Sequence, residues 1–340
     1  MNALIERLCR TVGDSRELRH AVLAELRQVV GFDGYVWLLT DPETSVGVAP
    51  LADVPSGLLP RLPELIRLKY LTTVNRWTGL GTEAATIGDD PPRSLVWQEL
   101  LHGYGVADVA SCAFRDRYGC WGFLDLWREG KTFTPAEVAA LSTLVGPLTA
   151  GLRYSQAQTF ATPLPGPAER GRPRVGPVVL LLDDDLRVLG QTPDADVQLR
   201  ALVPPSEGRD PIPASAYNVG AQLLAVESGV DKNPALARVH LSGGVWVSLR
   251  AARVGGVTGN IAVTIEECSA GERAALFGRA HGLSAREAEL LSHLLTGADT
   301  RQVASRMFVS ANTVQDHLKS IFAKTGTRSR PSLVSRALGA

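Results

Sequence analysis

Side chains suited to molecular recognition lie along one face of a helix predicted near the C-terminus. From Ala311 to about Lys324, Val314, Leu318 and Ile321 fall into one apolar stripe at ~100° per residue. The opposite face carries the amide, carboxylate and ammonium groups of Asn312, Gln315, Asp316 and Lys319. Such groups can read base edges in the major groove of DNA, although a face that is merely solvated would have the same pattern.

Basic residues are concentrated around this helix. Residues 300–340 contain seven Lys and Arg and one acidic residue, whereas the whole chain has 35 Lys+Arg, 35 Asp+Glu and a net charge of zero. The zero total disfavours a protein that coats nucleic acid or an anionic membrane with its whole surface. A basic end on an acidic body indicates a local nucleic-acid contact. The residues expected to neutralise phosphates are Arg301, Arg306, Lys324, Arg328 and Arg330.

The polar face of this helix is positioned by a set of four predicted helices, of which it is the third. Ser284 and Glu287 form a capping box that opens the first helix, which turns Ala288, Leu291, Leu294 and Leu295 inward and ends at Gly297. A second helix runs from about Thr300 to Met307, and Ser310 caps the third after a tight connection. Ser329 caps a short fourth helix. This order, with a short turn between the second and third helices, predicts a helix-turn-helix.

The segment 283–338 resembles a LuxR-type DNA-binding domain. The resemblance is carried by the residues Leu283 to Glu289, Val303-Ala304, Val309 to Lys319 and Gly326 to Arg330. It implies that the third helix enters the major groove, with base contacts at Gln315, Asp316 and Lys319 and with Thr313 and His317 near the DNA backbone. Many members have lysine where this chain has Gln315. Because glutamine pairs with adenine rather than guanine, the operator sequence does not carry over.

The same resemblance implies partners. We expect double-stranded DNA, a small-molecule effector and RNA polymerase as partners, and no membrane. We also expect a homodimer, because paired recognition helices meet half-sites about one helical turn apart. The predicted dimer seam is the apolar side of the fourth helix, Leu333, Val334, Ala337 and Leu338.

Residues 1–155 predict an α+β sensor domain. A helix follows Asp14, a strand covers Tyr35 to Leu39, a hairpin joins Val106–Arg115 to Cys120–Arg128, and Thr134 caps a last helix. The block resembles a GAF domain, in particular the GAF modules at the head of actinobacterial LuxR-family regulators. The residues that carry this resemblance are Val30 to Gly34, Cys120 to Leu124 and Phe133 to Glu137.

Residues 156–177 predict a Pro/Gly-rich linker, which leads to a second module at 178–270 and to the helix-turn-helix at 275–340. In the second module, apolar runs flank the acidic turn Asp183-Asp184-Asp185, and Asp185 to Val188 followed by Thr192-Pro193 resembles the opening hairpin of a PAS domain. The alternative is a phosphorylated receiver domain. Asp231 is a poor phosphoacceptor candidate because no apolar strand precedes it. The predicted fold class is multidomain α+β with an all-α helix-turn-helix.

The sequence contains no catalytic or metal-binding pattern. Ser/His/Asp sets, paired carboxylates, phosphate-binding glycine loops and Cys/His clusters are missing, so we expect no cofactor and no enzyme. An enzyme hidden in the first two-thirds and a module that binds only proteins stay as alternatives. Four tryptophans could line a ligand pocket, although burial in the core is the default interpretation for any one of them: Trp37, Trp97, Trp121 and Trp127. The chain start has no signal-peptide core, which predicts a cytoplasmic protein.

Overall fold

The computed structural model describes residues 2–88, 90–161, 178–202, 212–241, 245–256 and 258–339. Most of the predicted linker, including Arg170, Arg172 and Arg174, lies outside these ranges. Within them, no helix combines the length and apolarity needed to cross a bilayer.

The first antiparallel sheet has five strands in the order β2-β1-β5-β4-β3. The strands are β1 (Gly34–Thr40), β2 (Gly47–Asp53), β3 (Ala85–Thr86), β4 (Val106–Asp116) and β5 (Gly119–Glu129). The helices are α1 (Asn2–Thr11), α2 (Ser15–Val29), α3 (Leu62–Leu71), α4 (Leu95–Glu99) and α5 (Pro135–Gln158). The predicted β4–β5 hairpin is confirmed, and so is the Thr134–Glu137 capping box that opens α5.

Helices cover both faces of this sheet. Leu18, Val22 and Leu26 of α2 and Leu144 and Leu148 of α5 are buried against one face. On the other face, α3 and α4 bring Leu65, Leu68 and Val96 toward Val109 and Trp127 of the strands. The alternation of side chains along each strand therefore supplies two apolar layers, which explains why β4 and β5 are buried over almost their whole length.

The second antiparallel sheet has the order β7-β6-β10-β9-β8, the same order of chain positions as the first. Its strands are β6 (Val178–Leu182), β7 (Val188–Gln191), β8 (Leu236–His240), β9 (Trp246–Arg253) and β10 (Ile261–Glu267), with helices α6 (Ala195–Leu202) and α7 (Ala214–Glu227). The predicted hairpin around the acidic turn is confirmed. An all-antiparallel sheet is incompatible with the parallel, doubly wound sheet of a receiver.

Helix α7 lies between the two sheets and is buried on almost every side. It packs on β9 and β10 of its own module and on α3 and β2 of the first. Small residues allow this close packing: a Cβ at Gly220 would lie 2.9 Å from a methyl carbon of Leu186. A helix with apolar residues all round is typical of such a buried position.

A buried ion pair joins the modules. The Arg238 guanidinium of β8 donates from Nε and Nη2 to the two carboxylate oxygens of Asp41 at 2.7 and 2.9 Å, and Arg238 N donates to Asp41 at 2.9 Å. Asp41 is 0% exposed and Arg238 is 3% exposed. Asp231 similarly binds Thr78 and Arg76 of the first module. It is a residue of the module interface, which further disfavours its role as a phosphoacceptor.

The C-terminal part consists of five helices. They are α8 (Ala270–Ala280), α9 (Ala285–Leu295), α10 (Thr300–Met307), α11 (Ala311–Thr325) and α12 (Arg330–Leu338). At the junction with the other modules, Phe160 stacks on Trp246 at 5.2 Å and meets Phe277 edge-on at 5.5 Å, measured between ring centroids. Arg279 of α8 also donates to Tyr118 O at 2.9 Å and pairs with Glu43 at 3.4 Å. The C-terminal helices therefore pack against the first module and against Trp246 of the second.

We expect Asp41→Asn to lower the free energy of unfolding by about 3–5 kcal/mol, because it leaves the Arg238 charge buried without its carboxylate. Urea denaturation at neutral pH measures this change. The matched control is Glu43→Gln, which removes the half-exposed partner of the same guanidinium and should cost under about 1 kcal/mol. Equal losses in the two variants would contradict the importance of the buried pair.

Candidate functional site

The C-terminal helices α9 to α12 begin and end close to where the sequence predicts, and the Asp299 cap of α10 is an addition to that prediction. Ser284, Asp299, Ser310 and Ser329 each accept a backbone N–H at the start of their helix. Val314, Leu318 and Ile321 are buried against Val303, Met307, Leu290, Leu291 and Leu294. One inward prediction is wrong: Ala288 is exposed, since Glu287 and Leu290 occupy the inner side of α9 in its place.

A single carboxylate ties α11 to α9. The buried Glu287 accepts hydrogen bonds from Ser320 Oγ and Lys324 Nζ of α11 and from Ser284 N, each at 2.6 Å. Burial alone would raise the pKa of Glu287, but these hydrogen bonds outweigh burial and lower it to about 2. The carboxylate is therefore ionised at neutral pH and holds α11 at two points one turn apart.

The polar face of α11 points to solvent. Asn312, Gln315, Asp316 and Lys319 are all exposed. Lys319 Nζ and Asp316 Oδ1 form an ion pair at 3.2 Å, with side chains 77% and 73% exposed. Such an exposed pair costs little to open, so both groups are available to a partner.

The residues predicted to contact phosphates fall into two groups. Arg301, Arg306 and Arg328 are exposed and have no acidic partner in the part of the chain that the structure describes. Lys324 and Arg330 are engaged within the domain, Lys324 with Glu287 and Arg330 Nη2 with Thr300 Oγ1 at 2.7 Å. Thr313 and His317 are half-buried at the edges of α11, and the hydroxyl of Thr313 is 2.9 Å from that of Ser310.

Part of the predicted dimer seam on α12 is covered within the chain itself. Leu333 and Ala337 of α12 have no exposed surface, because they pack into the core formed with α8 and α9. Val334 and Leu338 are half-buried. The apolar stripe of α12 therefore serves the chain's own core, and Leu333 and Ala337 are unavailable to a second copy in this arrangement.

Phe308 is a surface feature that the sequence reasoning missed. It is 95% exposed and its φ of 55° places it in the left-handed region at the end of α10. An exposed aromatic ring in this rare backbone conformation sits three residues before the start of α11. The available signal was the large apolar residue inside a turn.

A second candidate site is an apolar cavity of about 390 Å³ between the first sheet, α3, α4 and the start of α7. Its apolar walls include Val36, Leu62, Leu65, Ile66 and Val109. Its polar lining includes Lys69 and Asp125, and Lys69 Nζ lies 2.9 Å from Asp125 Oδ2. Trp77 Nε1 donates to Asp125 Oδ1 at 3.0 Å. Sequence reasoning missed this pair because 56 residues separate its members.

Of the four tryptophans considered for a pocket lining, two have the core position that is the default interpretation and one lines the cavity. Trp127 lines the cavity, whereas Trp37 and Trp121 are buried on the opposite face of the sheet. The bulge at the β4–β5 pairing explains this: the register shifts between Phe114 and Arg115, opposite Trp121, so the even spacing of Trp121 and Trp127 does not put them on one face. Trp97 donates to Val106 O at 2.7 Å outside the lining.

The described ranges contain no group of three or more His, Cys, Asp or Glu side chains arranged to hold a metal ion.

We expect Glu287→Gln to destabilise the chain by about 1–3 kcal/mol, since it removes a charged acceptor from three buried or half-buried donors. Urea unfolding measures the loss. Glu289→Gln is the control, because this neighbouring carboxylate pairs with Arg286 at the surface of the same helix and should change stability by under about 0.5 kcal/mol. An unchanged stability of the Glu287 variant would contradict the role of this carboxylate in holding α11 on α9.

Two half-buried histidines predict a pH dependence. Burial lowers the pKa of His240 and of His281 from 6.5 to about 4, with Arg273 adding to the effect at His240 and Arg336 at His281. Since the unfolded chain binds these protons first, stability is fully present above pH 6.5 and falls as the pH drops toward 4. Thermal unfolding between pH 7 and pH 5 should show the fall, and the double variant His240→Gln/His281→Gln should flatten it. A wild-type chain with no such fall would contradict the buried, neutral state of both rings.

Comparison with known proteins identifies the C-terminal helices. Residues 281–337 match the family model for bacterial regulatory proteins of the luxR family. The chain is 41% identical over 56 residues to the oxygen regulatory protein NreC of Staphylococcus aureus strain JH9, and the match covers 16% of this chain and 26% of NreC. The chain thus spans about a quarter of the length of the curated relatives it matches.

Two solved structures show a weak likeness over longer stretches. Escherichia coli SdiA is 12% identical, with a TM-score of 0.36, over 97% of this chain and 93% of SdiA. The Vibrio cholerae VqmA dimer without target DNA is 18% identical, with a TM-score of 0.18, over 48% of this chain and 82% of VqmA. TM-scores this low do not assign the fold of the N-terminal modules. The family match and the four capped helices together identify residues 281–337 as a LuxR-family helix-turn-helix domain.

Proposed function

We propose that the chain is a DNA-binding transcription regulator that reads a specific duplex sequence with α11. The observation that carries the proposal is the exposed polar face of α11, held by Glu287 on a helix-turn-helix scaffold of the LuxR family. The regulatory names of its relatives over the same 56 residues support it.

Base reading falls to four side chains of α11. Gln315 and Asn312 can each pair with adenine through two hydrogen bonds, Lys319 can donate to guanine, and Asp316 can accept from the amino group of cytosine. The Asp316–Lys319 pair opens when the helix enters the groove, at little cost because both groups are solvated.

Phosphate neutralisation falls mainly to Arg301, Arg306 and Arg328, which are exposed. Lys324 and Arg330 contribute charge close to the backbone while they keep their contacts with Glu287 and Thr300. Thr313 and His317 lie on the flanks of α11, where the DNA strands would pass. These contacts set the position of the helix, and the base contacts set the specificity.

The rest of the chain serves as a two-module sensor in a cytoplasmic homodimer. The repeated sheet order supports a GAF-like module at 1–155 and a PAS-like module at 178–270, joined by a linker at 156–177, ahead of the DNA-binding residues 275–340. A small-molecule effector in the 390 Å³ cavity favours one arrangement of these modules. RNA polymerase is a further partner in this proposal, and the dimer interface would lie outside the buried side of α12.

The cavity favours ligand binding over catalysis. Its Lys69–Asp125 pair is satisfied by mutual contact and by Trp77, so neither group is poised as a base or a nucleophile. We accordingly propose neither an enzymatic role nor a cofactor for the chain.

We expect Gln315→Ala and Lys319→Ala to lower affinity for a selected duplex by about tenfold or more, while leaving affinity for a scrambled duplex nearly unchanged, since each removes a base contact worth about 1–3 kcal/mol. The selected duplex is obtained by repeated binding of the full chain to a random pool, and fluorescence anisotropy measures both affinities.

Two arginine variants serve as controls. Arg301→Ala should weaken binding to both duplexes and reduce the slope of log affinity against log salt by about one. Arg187→Ala removes an exposed charge from the turn after β6. This variant should leave the affinities for both duplexes and the salt slope unchanged. If the two α11 variants lost affinity for the scrambled and selected duplexes equally, α11 would not be the reading element.

A further inference from the structure

We propose that the cavity is a binding site shared by both sensor modules and that it takes an uncharged, mainly apolar small molecule with a hydrogen-bond donor. The regulatory role of such a ligand rests on the proposed function. The class of ligand and the contribution of the second module to the site are new.

The second module completes the cavity wall. Ile212, Ala214 and Asn218, from the segment entering α7 and from its first turns, line the cavity together with strands and helices of the first module. Helix α7 also packs on β9 and β10. A molecule in the cavity therefore touches the first module directly and the second sheet through one helix.

The charge inside the cavity is balanced. Lys69 and Asp125 are 6% and 4% exposed in their side chains and neutralise each other at 2.9 Å. Asp53 at the cavity lining pairs with Arg27 at 3.3 Å. A charged ligand would lose its hydration without a counter-charge in the site, which is costly in an apolar environment. The cavity therefore selects an uncharged molecule.

Three lining side chains have polar atoms that form no hydrogen bond within the described protein. They are Asn218 Oδ1, Ser94 Oγ and Trp127 Nε1. Asn218 and Ser94 are 0% exposed. The Nδ2 atom of Asn218 donates to Ala214 O at 2.9 Å, which fixes the orientation of the Asn218 side chain. Buried polar atoms without partners are unfavourable. A ligand with one donor for Asn218 and one acceptor for Ser94 or Trp127 would satisfy them.

Two fluorescent probes of nearly the same shape test this class. N-phenyl-1-naphthylamine is uncharged and has one N–H donor, and 8-anilino-1-naphthalenesulfonate adds a sulfonate. We expect the full chain to bind the uncharged probe saturably at one site per chain, with energy transfer from tryptophan, and to bind the anionic probe at least about tenfold more weakly.

Variants of the second module test its part in the site. Ala214→Phe should fill the cavity from α7 and weaken the uncharged probe at least tenfold, and Asn218→Leu should weaken it about fivefold, the equivalent of one neutral hydrogen bond of about 1 kcal/mol. Val226→Phe is the control, because it enlarges an exposed residue at the far end of α7. Ile212→Phe repeats the test at a partly exposed rim position that tolerates substitution, should Ala214→Phe fail to fold.

Three results would overturn the proposal: no saturable binding of the uncharged probe, equal binding of the two probes, or wild-type affinity in both Ala214→Phe and Ile212→Phe. Anisotropy with the selected duplex is run on the same samples. If the chain reads DNA but fails these probe tests, the shared site is contradicted and the proposed function is not. If the chain binds the probe as expected but binds no specific duplex, the proposed function is contradicted and the shared site is not.

Discussion

The carboxylate of Glu287 is the contact on which the DNA-facing surface depends. Recognition of base edges requires that α11 be held at a fixed height and rotation, because a hydrogen bond tolerates only a few tenths of an ångström. The apolar stripe of Val314, Leu318 and Ile321 sets the rotation of α11. Glu287 adds two charged or polar contacts, to Ser320 and Lys324, on the side that faces α9. The orientation of the exposed face is therefore set by residues on the other sides of α11.

The remaining modules contact the C-terminal helices at α8. Arg279 links α8 to the first module at Tyr118 and Glu43, and the same Glu43 carboxylate binds Arg238 of the second module. Phe160, just after α5, contacts Trp246 of the second sheet and Phe277 of α8 through its ring. A ligand that changed the spacing of the two sheets would therefore change contacts near the C-terminal end of α8. Such coupling requires that the ligand prefer one arrangement.

The helix-turn-helix could be predicted almost to the residue because its signals are local. Ser284, Ser310 and Ser329 mark helix starts through hydrogen bonds to residues two or three positions away, and Gly326 marks the end of α11 with a φ of 65°. The hairpins of both sheets were predictable for the same reason. The β4–β5 turn and the acidic turn after β6 each join two runs of strand-forming residues.

What could not be predicted depends on contacts distant in the sequence. Helix α7 has no amphipathic period because it is covered from both sides, and β2 was missed since Gly47 and Pro50 interrupt its pattern. The stripe of α12 was correctly seen as apolar, but periodicity does not say whether the same chain or another copy covers it. Trp121 was misplaced because a bulge reverses the alternation of β5. The Lys69–Asp125 pair, the centre of the cavity, has no signature in either local segment.

The most direct test of the central claim is the ratio of affinities of the full chain for a selected duplex and for a scrambled duplex of the same length and composition. Measured across a salt titration, this ratio separates base reading from the attraction of phosphates, since salt weakens the phosphate contribution to both duplexes. We expect a ratio of about 10³ or more near physiological salt. A ratio close to one at every salt concentration would contradict it, because the exposed face of α11 would then carry charge without reading sequence.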